Sequence, residues 1–393
     1  MSQAAYTPPP VIDRIQSRAL IAGGIGLIAC VIGAFFKPAQ FFNSWLISFM
    51  FVIGITLGCL ALVMLQYLTG GAWGLVIRRV LESATRTLPL IVLLFIPLLF
   101  GLQKLYAWAR PAEVAAHEAL QHKRLYLNVP FFLVRGVIYF AAWLLLAYFL
   151  NKWSRQQDQA NDARLERRFQ LLSGGGLVLY VLTVTFAVID WVMSLEPEWF
   201  STIFGLLFVA GQGLSAMAFV IAALVVLSRY EPLAHVISRG HLHDLGKLML
   251  TFVMLWAYLS FSQFLIIWSG NLPEETVWYV ERLRGGWQWI GLLLVLFHFA
   301  LPFLLLLSSD LKRSGRLMIP VALLVMAMRA VDLFWIIAPA LNREHLAVHW
   351  MDIAALVGLS GLWLAFFAWQ LRRRPLLPVN DPHFGEVLQH EHH

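Results

Sequence analysis

Long apolar stretches alternate with short polar connections along the whole chain. Ten of these stretches have about the 20 residues that an α-helix needs to cross roughly 30 Å of hydrocarbon. The stretches span residues 18–36, 46–69, 88–108, 129–150, 171–195, 200–228, 246–269, 286–308, 316–341 and 353–371. The pattern predicts an all-α, polytopic membrane domain over 18–371, preceded by a segment over 1–17 and followed by a tail over 372–393. The first stretch ends without a small-residue cleavage site, so we expect a retained helix rather than a signal peptide.

The composition supports a membrane protein and argues against nucleic-acid binding. The chain is 60% hydrophobic and 13% charged, which leaves too little polar surface to cover a soluble globule of this length. The formal net charge is +7, but the basic residues lie in the connections between apolar stretches and do not form one continuous face. Nucleic acid is therefore not an expected partner, whereas lipid is.

The distribution of basic residues predicts the orientation in the membrane. The N-terminal segment, the even-numbered connections and the C-terminal tail hold most of the 29 Lys and Arg residues. Short loops rich in these residues stay on the cytoplasmic side. With an even number of crossings, both termini are predicted to be cytoplasmic, and the other face to be periplasmic or otherwise outside.

An internal repeat is a further prediction. Predicted helices 2–5 and 6–9 start on the same side, and aligning Asp190 with Asp332 also aligns a proline seven residues after each aspartate. Such an arrangement predicts two parallel four-helix bundles, with helices 1 and 10 added outside the repeat.

Residues able to hold a redox centre are scarce. Cys30 and Cys59 are the only cysteines, they lie inside apolar stretches, and no C-x-x-C-H motif is present. His298 is the only histidine well inside a predicted helix, whereas buried haem needs facing pairs of ligands. The sequence also lacks a phosphate-binding loop, a G-x-S-x-G elbow and an H-E-x-x-H zinc motif. We therefore expect no metal, no catalytic residue and no redox centre in this chain.

Charged residues at membrane depth are the main candidates for function, because each costs about 2.5 to 3.5 kcal/mol to insert. Arg329 and Asp332 are spaced i, i+3 on one predicted helix, so they can neutralise each other. They fit either a place on a proton route or a buried ion pair that fixes helix packing. His298 likewise fits either a proton relay, since its ordinary pKa is near 6.5, or a hydrogen-bonded structural residue.

Further candidates lie nearer the two faces. Arg135, Asp190 and Lys104 fall in the outer third of predicted helices, where they can form a charge cluster, or where Lys104 can extend to the interface on its own. At the cytoplasmic start of predicted helix 7, two histidines and an aspartate can collect protons or form an ordinary solvated loop. The candidate proton route comprises His241, His243, Asp244, His298, Arg329, Asp332, Asp190, Glu196 and Arg135.

Five short sequence segments between residues 190 and 335 resemble those of one protein family. They are DWVMSLEP at 190–197, WFSTIFG at 199–205, QFLIIWSGNLPEE at 263–275, HFALPF at 298–303 and VDLFW at 331–335. In combination and in this order they resemble the F subunit of alternative complex III, a membrane subunit of the NrfD and polysulfide-reductase type. The first four predicted helices match the family in number and polarity more than in motif.

The resemblance implies a role in a quinol to cytochrome c, or other periplasmic acceptor, oxidoreductase of the bacterial inner membrane. Such complexes serve respiratory or photosynthetic electron transfer. Expected partners are a related NrfD-like membrane subunit and periplasmic subunits that carry iron–sulfur clusters and c-type haem. Quinone or menaquinone is a candidate ligand, although the family's sister C subunit is the better-supported quinol site. The role expected for this chain is structural and proton-conducting.

Two other function classes fit the sequence pattern. A stand-alone secondary transporter or proton channel would also have ten helices and charges near the midplane. A purely structural scaffold would use the same charges for packing. The connection over 273–289 combines acidic, basic and aromatic residues, and it suits either docking of an extramembrane subunit or an amphipathic segment lying on lipid.

Overall fold

The computed structural model describes residues 8–159, 163–231, 233–342, 345–378 and 380–385, and these residues form helices and connections without a β-strand. Ten helices are long and apolar enough to cross a membrane. We name them in chain order α1 (Val11–Phe36), α2 (Pro38–Thr69), α3 (Ala72–Phe100), α4 (Val129–Gln157), α5 (Arg164–Leu195), α6 (Phe204–Leu227), α7 (Arg239–Gly270), α8 (Trp287–Leu307), α9 (Gly315–Ala340) and α10 (Trp350–Leu371). The predicted all-α, polytopic fold is confirmed.

Several helices extend beyond the apolar stretches that predicted them. Helix α3 begins at Ala72 instead of residue 88, α5 at Arg164 instead of 171, and α7 at Arg239 instead of 246. Hydropathy marks the part of a helix that matches the hydrocarbon, whereas backbone hydrogen bonding continues into the polar interface. Helix α3 also ends earlier than predicted, at Phe100.

Helix α3 is interrupted near its middle. It consists of the segments Ala72–Thr85 and Leu88–Phe100, joined by a turn at Arg86 and Thr87. Pro89 has no N–H to donate to the carbonyl of Thr85 four residues earlier, so the regular hydrogen-bond ladder cannot continue through this point. The first segment, which we expected to be a polar connection, is instead almost wholly buried.

The N-terminal end of α1 and the C-terminal end of α10 lie on one side of the helical domain. The Arg372 guanidinium, just after α10, contacts the Asp13 carboxylate in the first turn of α1. We call this side the terminal face and the opposite side the distal face. Short helices connect the crossings: Leu102–Leu105, Ala107–Ala109, Pro111–Ala116, Glu118–His122 and Pro273–Arg282 on the distal face, and Leu233–His235 and Ser309–Lys312 on the terminal face.

Helices α2 and α6 pack against each other at the centre of the domain. Nearly every residue of α2 between Ser44 and Gln66 is buried. A Cβ atom added at Gly58 would lie 2.1 Å from the backbone oxygen of Gln212 on α6. The two backbones approach so closely that only glycine fits at this point of α2.

Helix α10 is tied to this centre by polar side chains. The indole N–H of Trp363 lies 2.8 Å from the hydroxyl oxygen of Thr56 on α2 and 2.9 Å from that of Thr87 in the α3 turn. The two threonine hydroxyls lie 3.2 Å apart. All three side chains are buried, so these hydrogen bonds satisfy polar groups that would otherwise be costly to remove from water.

Helix α1 packs mainly against α10, through glycines on both helices. A Cβ at Gly26 would lie 2.6 Å from the backbone nitrogen of Gly358, and a Cβ at Gly361 would lie 2.6 Å from the backbone nitrogen of Gly23. The opposite side of α1 exposes large apolar side chains, as expected for a helix that faces lipid. Helix α1 is thus held by close backbone contact along one narrow side.

The grouping of helices into two four-helix bundles stays a prediction. Neighbouring helices within α2–α5 and within α6–α9 contact one another, but α2 and α6 also pack together extensively. The contacts therefore do not separate two independent units.

The glycine contacts generate a prediction about adjacent positions on α1. A Cβ at Gly23 would lie 2.6 Å from the backbone nitrogen of Leu362, whereas a Cβ at Gly24 would have no atom within 4 Å. We expect Gly23→Ala to lower the free energy of unfolding by about 1 to 3 kcal/mol, because α1 and α10 must separate. Gly24→Ala should leave it unchanged or raise it by up to about 1 kcal/mol. Unfolding in detergent by SDS titration measures both, and equal effects of the two changes would contradict the close packing.

Candidate functional site

Asp332 on α9 and its neighbours form a buried polar site inside the helical domain. The Arg329 guanidinium contacts the Asp332 carboxylate one turn away, and both side chains are almost fully buried. The indole N–H of Trp256 on α7 donates to the same carboxylate oxygen at 3.2 Å. The predicted ion pair is therefore present, and a tryptophan that sequence reasoning had not selected completes it.

Gly211 on α6 has no side chain, and this leaves room for the guanidinium of Arg329. A Cβ added at Gly211 would lie 2.4 Å from the central carbon of the Arg329 guanidinium. The guanidinium also lies 5.4 Å from the ring centroid of Phe208, one turn earlier on α6, a distance at which an aromatic face attracts a cation. Arg329 is thus fitted against α6 while it neutralises Asp332.

His298 lies beside this site on an irregular part of α8. Residues Leu294–Ala300 are π-helical. Pro302 has no N–H to donate to the His298 carbonyl four residues earlier, which disfavours a regular α-helical register here. The His298 ring packs edge-on against Trp256, with 4.3 Å between ring centroids.

The imidazole of His298 makes no hydrogen bond within the described part of the chain. The ring is fully buried, and neither Nδ1 nor Nε2 has a partner. Since buried polar groups are normally paired, such a histidine needs an explanation. The structure brings His298 next to Trp256 but does not join it to Asp332 by a hydrogen bond.

A cavity of about 720 Å³ adjoins the Asp332 site. Its walls come from α7, α8, α9 and the helix Pro273–Arg282, and they are mostly apolar. The polar residues among those that line it are Trp256, Tyr258, Ser260, Gln263, Trp278, Tyr279, Arg282, Gln288, Asp332 and Trp335. Its volume lies in the usual range for small-molecule sites, about 300 to 1,000 Å³. His298 is not part of its lining.

Hydrogen bonds fix the polar groups on the distal side of this cavity. The Gln263 amide nitrogen lies 3.3 Å from the Tyr279 hydroxyl, and the Ser201 hydroxyl donates to the Gln263 carbonyl oxygen at 3.0 Å. Burial raises the pKa of Tyr279 to about 12. The phenol therefore stays protonated at neutral pH and keeps its capacity to donate a hydrogen bond.

Arg282 ends the short helix Pro273–Arg282, which we call the distal helix, and joins it to two other parts of the chain. Its guanidinium lies 2.9 Å from the Glu196 carboxylate after α5 and donates to the Ile336 carbonyl on α9 at 2.7 Å and to the Trp278 carbonyl at 3.0 Å. Burial lowers the pKa of Arg282, and the Glu196 carboxylate opposes that effect. Glu196, predicted as part of a proton route, is here the counter-charge of a structural arginine.

Asp190 and Arg135 form a separate ion pair between α5 and α4. The Arg135 guanidinium holds both carboxylate oxygens of Asp190 at 2.8 Å, and the Tyr139 hydroxyl donates to one of them at 2.8 Å. The predicted pairing of these two residues is present. Lys104, for which the sequence allowed either this cluster or extension to the interface on its own, is exposed and makes no ion pair among the described residues. The short helix Leu102–Leu105 carries it outside the third crossing, which ends at Phe100.

The histidines at the start of α7 lie on the terminal face. His241 is buried and completes a capping box with Ser238, whose backbone N–H donates to His241 Nδ1 at 3.1 Å. His243 lies 3.9 Å from Asp244, which also pairs with Lys247 at 3.2 Å. Twelve residues of helix, roughly 18 Å, separate Asp244 from Trp256. The structure does not link these residues to Asp332, so a continuous proton route stays a prediction.

Sequence reasoning missed a buried charge network at the terminal face. Glu82 accepts from Arg79 at 2.8 Å and from Arg374 at 3.4 Å, Arg79 also contacts Asp158, and Arg78 pairs with Asp381 at 2.5 Å. Hydropathy alone assigned residues 69–88 to a connection. The apolar residues interspersed with these charges, such as Leu75 and Leu81, were the available indication of a buried helix.

Comparison with known proteins adds no family assignment, since no protein-family model and no curated protein matches this chain. Among the described residues, no group of three or more His, Cys, Asp or Glu side chains is placed to hold a metal ion. The expectations that the chain carries no metal and belongs to an alternative complex III family stay predictions.

The Arg282 contacts generate a prediction about stability. Arg282→Gln removes the counter-charge of Glu196 and the donors to two buried carbonyls, so we expect it to lower the free energy of unfolding by about 3 kcal/mol or more. Arg284→Gln, two residues later and exposed, should change it by less than about 0.5 kcal/mol. SDS titration of both variants measures the difference. Comparable losses in the two variants would show that Arg282 does not hold the distal helix in place.

Proposed function

We propose that this chain is a membrane subunit of a quinol-oxidising complex of the alternative complex III type and that Asp332 exchanges protons within it. Three of the five sequence segments that resemble this family meet in one region of the fold. Gln263, Asp332 and Trp335 line the same cavity, and His298 packs against Trp256 of its wall. These segments belong to three different helices, α7, α8 and α9, and they lie together at one site.

The observation that carries the proposal is the position of Asp332 in the lining of the cavity. A carboxylate can bind and release a proton, whereas an arginine stays protonated. Arg329 therefore stabilises the charged form of Asp332, and water in the cavity would reach the carboxylate from the other side. Intramembrane ionisable residues that face a cavity are typical of proton and ion pathways.

The Asp190 pair offers a contrast within the same molecule. Its carboxylate oxygens are both held by Arg135, and Tyr139 adds a third hydrogen bond. None of the cavities described in this structure includes Asp190 in its lining. The sequence also allowed intramembrane charges to serve as buried ion pairs that fix helix packing. Asp190 fits this structural role better than Asp332 does.

The cavity beside Asp332 also fits a quinone by size and lining. Its apolar walls suit an isoprenoid tail, and the Gln263 amide and Tyr279 hydroxyl would hold a ring oxygen. A bound quinol supplies two electrons and two protons. Within this chain, Asp332 would accept or pass on a proton, while the electron acceptors belong to the proposed partner subunits.

Replacing the Asp332 carboxylate tests the proton role. Asp332→Asn keeps the volume and a hydrogen-bonding group but removes the titratable oxygen. We expect the assembled complex to oxidise quinol while its proton to electron ratio in proteoliposomes falls. The measurement combines acceptor reduction with a pH-sensitive dye on the same vesicles.

Asp190→Asn is the matched control, since it removes the other buried carboxylate that pairs with an arginine. It should lower the yield and stability of the complex but leave the proton to electron ratio of the assembled fraction unchanged. An unchanged ratio in Asp332→Asn would rule out an essential proton role, and Asp332 would then be a packing residue.

Gentle purification tests the proposed complex. The chain should co-purify with haem absorbance, iron–sulfur signals and a related membrane subunit, because the proposed electron carriers lie in partner proteins. A crosslinker at Glu274, exposed on the distal helix, should capture a haem or iron–sulfur subunit. A colourless single chain that conducts protons by itself in liposomes would instead identify a channel or transporter.

A further inference from the structure

Two adjoining cavities open at the terminal face, away from the Asp332 site. The larger, about 650 Å³, lies between α3 and α4, and the smaller, about 290 Å³, lies between the end of α4 and the residues that follow α10. Arg86, Arg155, Gln370 and Arg374 line both. The two cavities therefore form one continuous depression, which we call the terminal basin.

Positive charge dominates the polar part of the terminal basin. Its basic residues are Arg86, Lys152, Arg155, Arg373 and Arg374, and its acidic residue is Asp158. Asp158 is already engaged by Arg79, which does not line the basin. Glu82, the carboxylate that Arg374 contacts, is shared with Arg79 in the same way.

The remaining cations have no carboxylate partner among the described residues. The Arg86 guanidinium donates to the Ser83 hydroxyl at 2.9 Å and to the Gln370 carbonyl at 3.1 Å, and its buried Nε has no acceptor. Lys152 and Arg373 lie against the rings of Tyr148 and Trp369. Burial lowers the pKa of Arg374, which lies outside the membrane helices. Glu82 opposes this effect, and Arg79 and Arg155 add to it more weakly.

The other end of the basin is apolar and runs along the membrane helices. Leu88 and Pro89 of α3 face Leu144, Leu145 and Ala147 of α4 across it. Leu144 lies about two turns before Lys152 on α4, roughly 12 Å deeper along the helix axis. The groove thus leads from the basic residues toward the hydrocarbon region.

We propose that the terminal basin binds an anionic phospholipid. Its phosphate would lie among Arg86, Arg155 and Arg374, and an acyl chain would lie in the groove between α3 and α4. Guanidinium groups suit phosphate because they donate in a fork that matches its oxygens. Basic pockets between membrane helices on the cytoplasmic side are typical sites for anionic headgroups.

Two features favour a lipid over a small anion or an acidic protein segment. The basic residues adjoin a groove whose walls belong to membrane-spanning segments, where an acyl chain is the available ligand. The interruption of α3 at Arg86 and Thr87 places a cation at the level where headgroup and chain meet. Neither a free phosphate nor a soluble acidic peptide would use the apolar half of the basin.

The test measures lipid binding to the full chain, or to the complex that it enters, in a neutral detergent. Native mass spectrometry compares phosphatidylglycerol with phosphatidylcholine, and a competition arm adds glycerophosphate or inorganic phosphate. We expect preferential binding of phosphatidylglycerol that millimolar glycerophosphate and phosphate do not displace. Equal binding of the two lipids, or displacement by the small anions, would overturn the proposal.

Variants locate the site. Arg86→Gln combined with Arg155→Gln should weaken phosphatidylglycerol binding about 30-fold, from the loss of two charges near the membrane surface. Arg313→Gln combined with Arg316→Gln removes two exposed cations of the same face outside the basin and should change binding less than about 3-fold. Equal losses in the two double variants would indicate general surface charge and overturn the assignment.

A milder variant covers the case in which the Arg86 and Arg155 changes prevent folding. Lys152→Gln alters an exposed side chain at the rim of the basin and should weaken phosphatidylglycerol binding about 5-fold without affecting folding. Unchanged binding in this variant would contradict the placement of the headgroup beside α4.

Discussion

A charged side chain inside the helical domain needs its counter-charge within reach, because an unpaired buried charge costs several kcal/mol. This requirement accounts for much of how the helices are held. Arg135 and Asp190 join α4 to α5, and Arg282 joins the distal helix to the end of α5 and to α9. At the terminal face, the network around Glu82 holds α3, α4 and the residues after α10 together. Apart from Arg79 and Glu82, which are neighbours on α3, each of these pairs joins different elements of the chain.

The Asp332 pair differs from the pairs that join separate elements because both of its partners lie on one helix. An ion pair between neighbours one turn apart does not tie α9 to another element by itself. Its link to α7 comes from Trp256, a neutral donor. Changes in the protonation of Asp332 would therefore leave the ion pairs that join other elements intact. That independence is what a site that exchanges protons requires.

The sequence predicted the helices well and the buried charge network poorly. Apolar stretches of sufficient length identify membrane helices because the hydrocarbon allows few other structures. The same criterion assigned Arg78, Arg79 and Glu82 to a connection, since charge lowers the hydropathy of a segment whether or not its charges are paired. Their partners, Asp158 and Arg374, lie far away in sequence. Such pairings depend on tertiary contacts that no local pattern reports.

Within the candidate site, spacing along one helix was sufficient to predict the pairing of Arg329 with Asp332. The role of Trp256 was not predicted, because its partner Asp332 lies 76 residues away in sequence. The cavity also depends on how four elements approach one another, which the sequence pattern does not specify. Glu196 was predicted as part of a proton route, but its partner Arg282 lies in the connection over 273–289, whose helix was not predicted.

The glycine contact between α1 and α10 has a consequence for biogenesis. Helix α1 leaves the ribosome well before α10, its main packing partner. Until α10 is inserted, the glycine side of α1 has no matching surface and must be covered by lipid or by the insertion machinery. The contact can therefore close only after α2 to α9 have been made, and a chain that stops before α10 leaves α1 without its main packing partner.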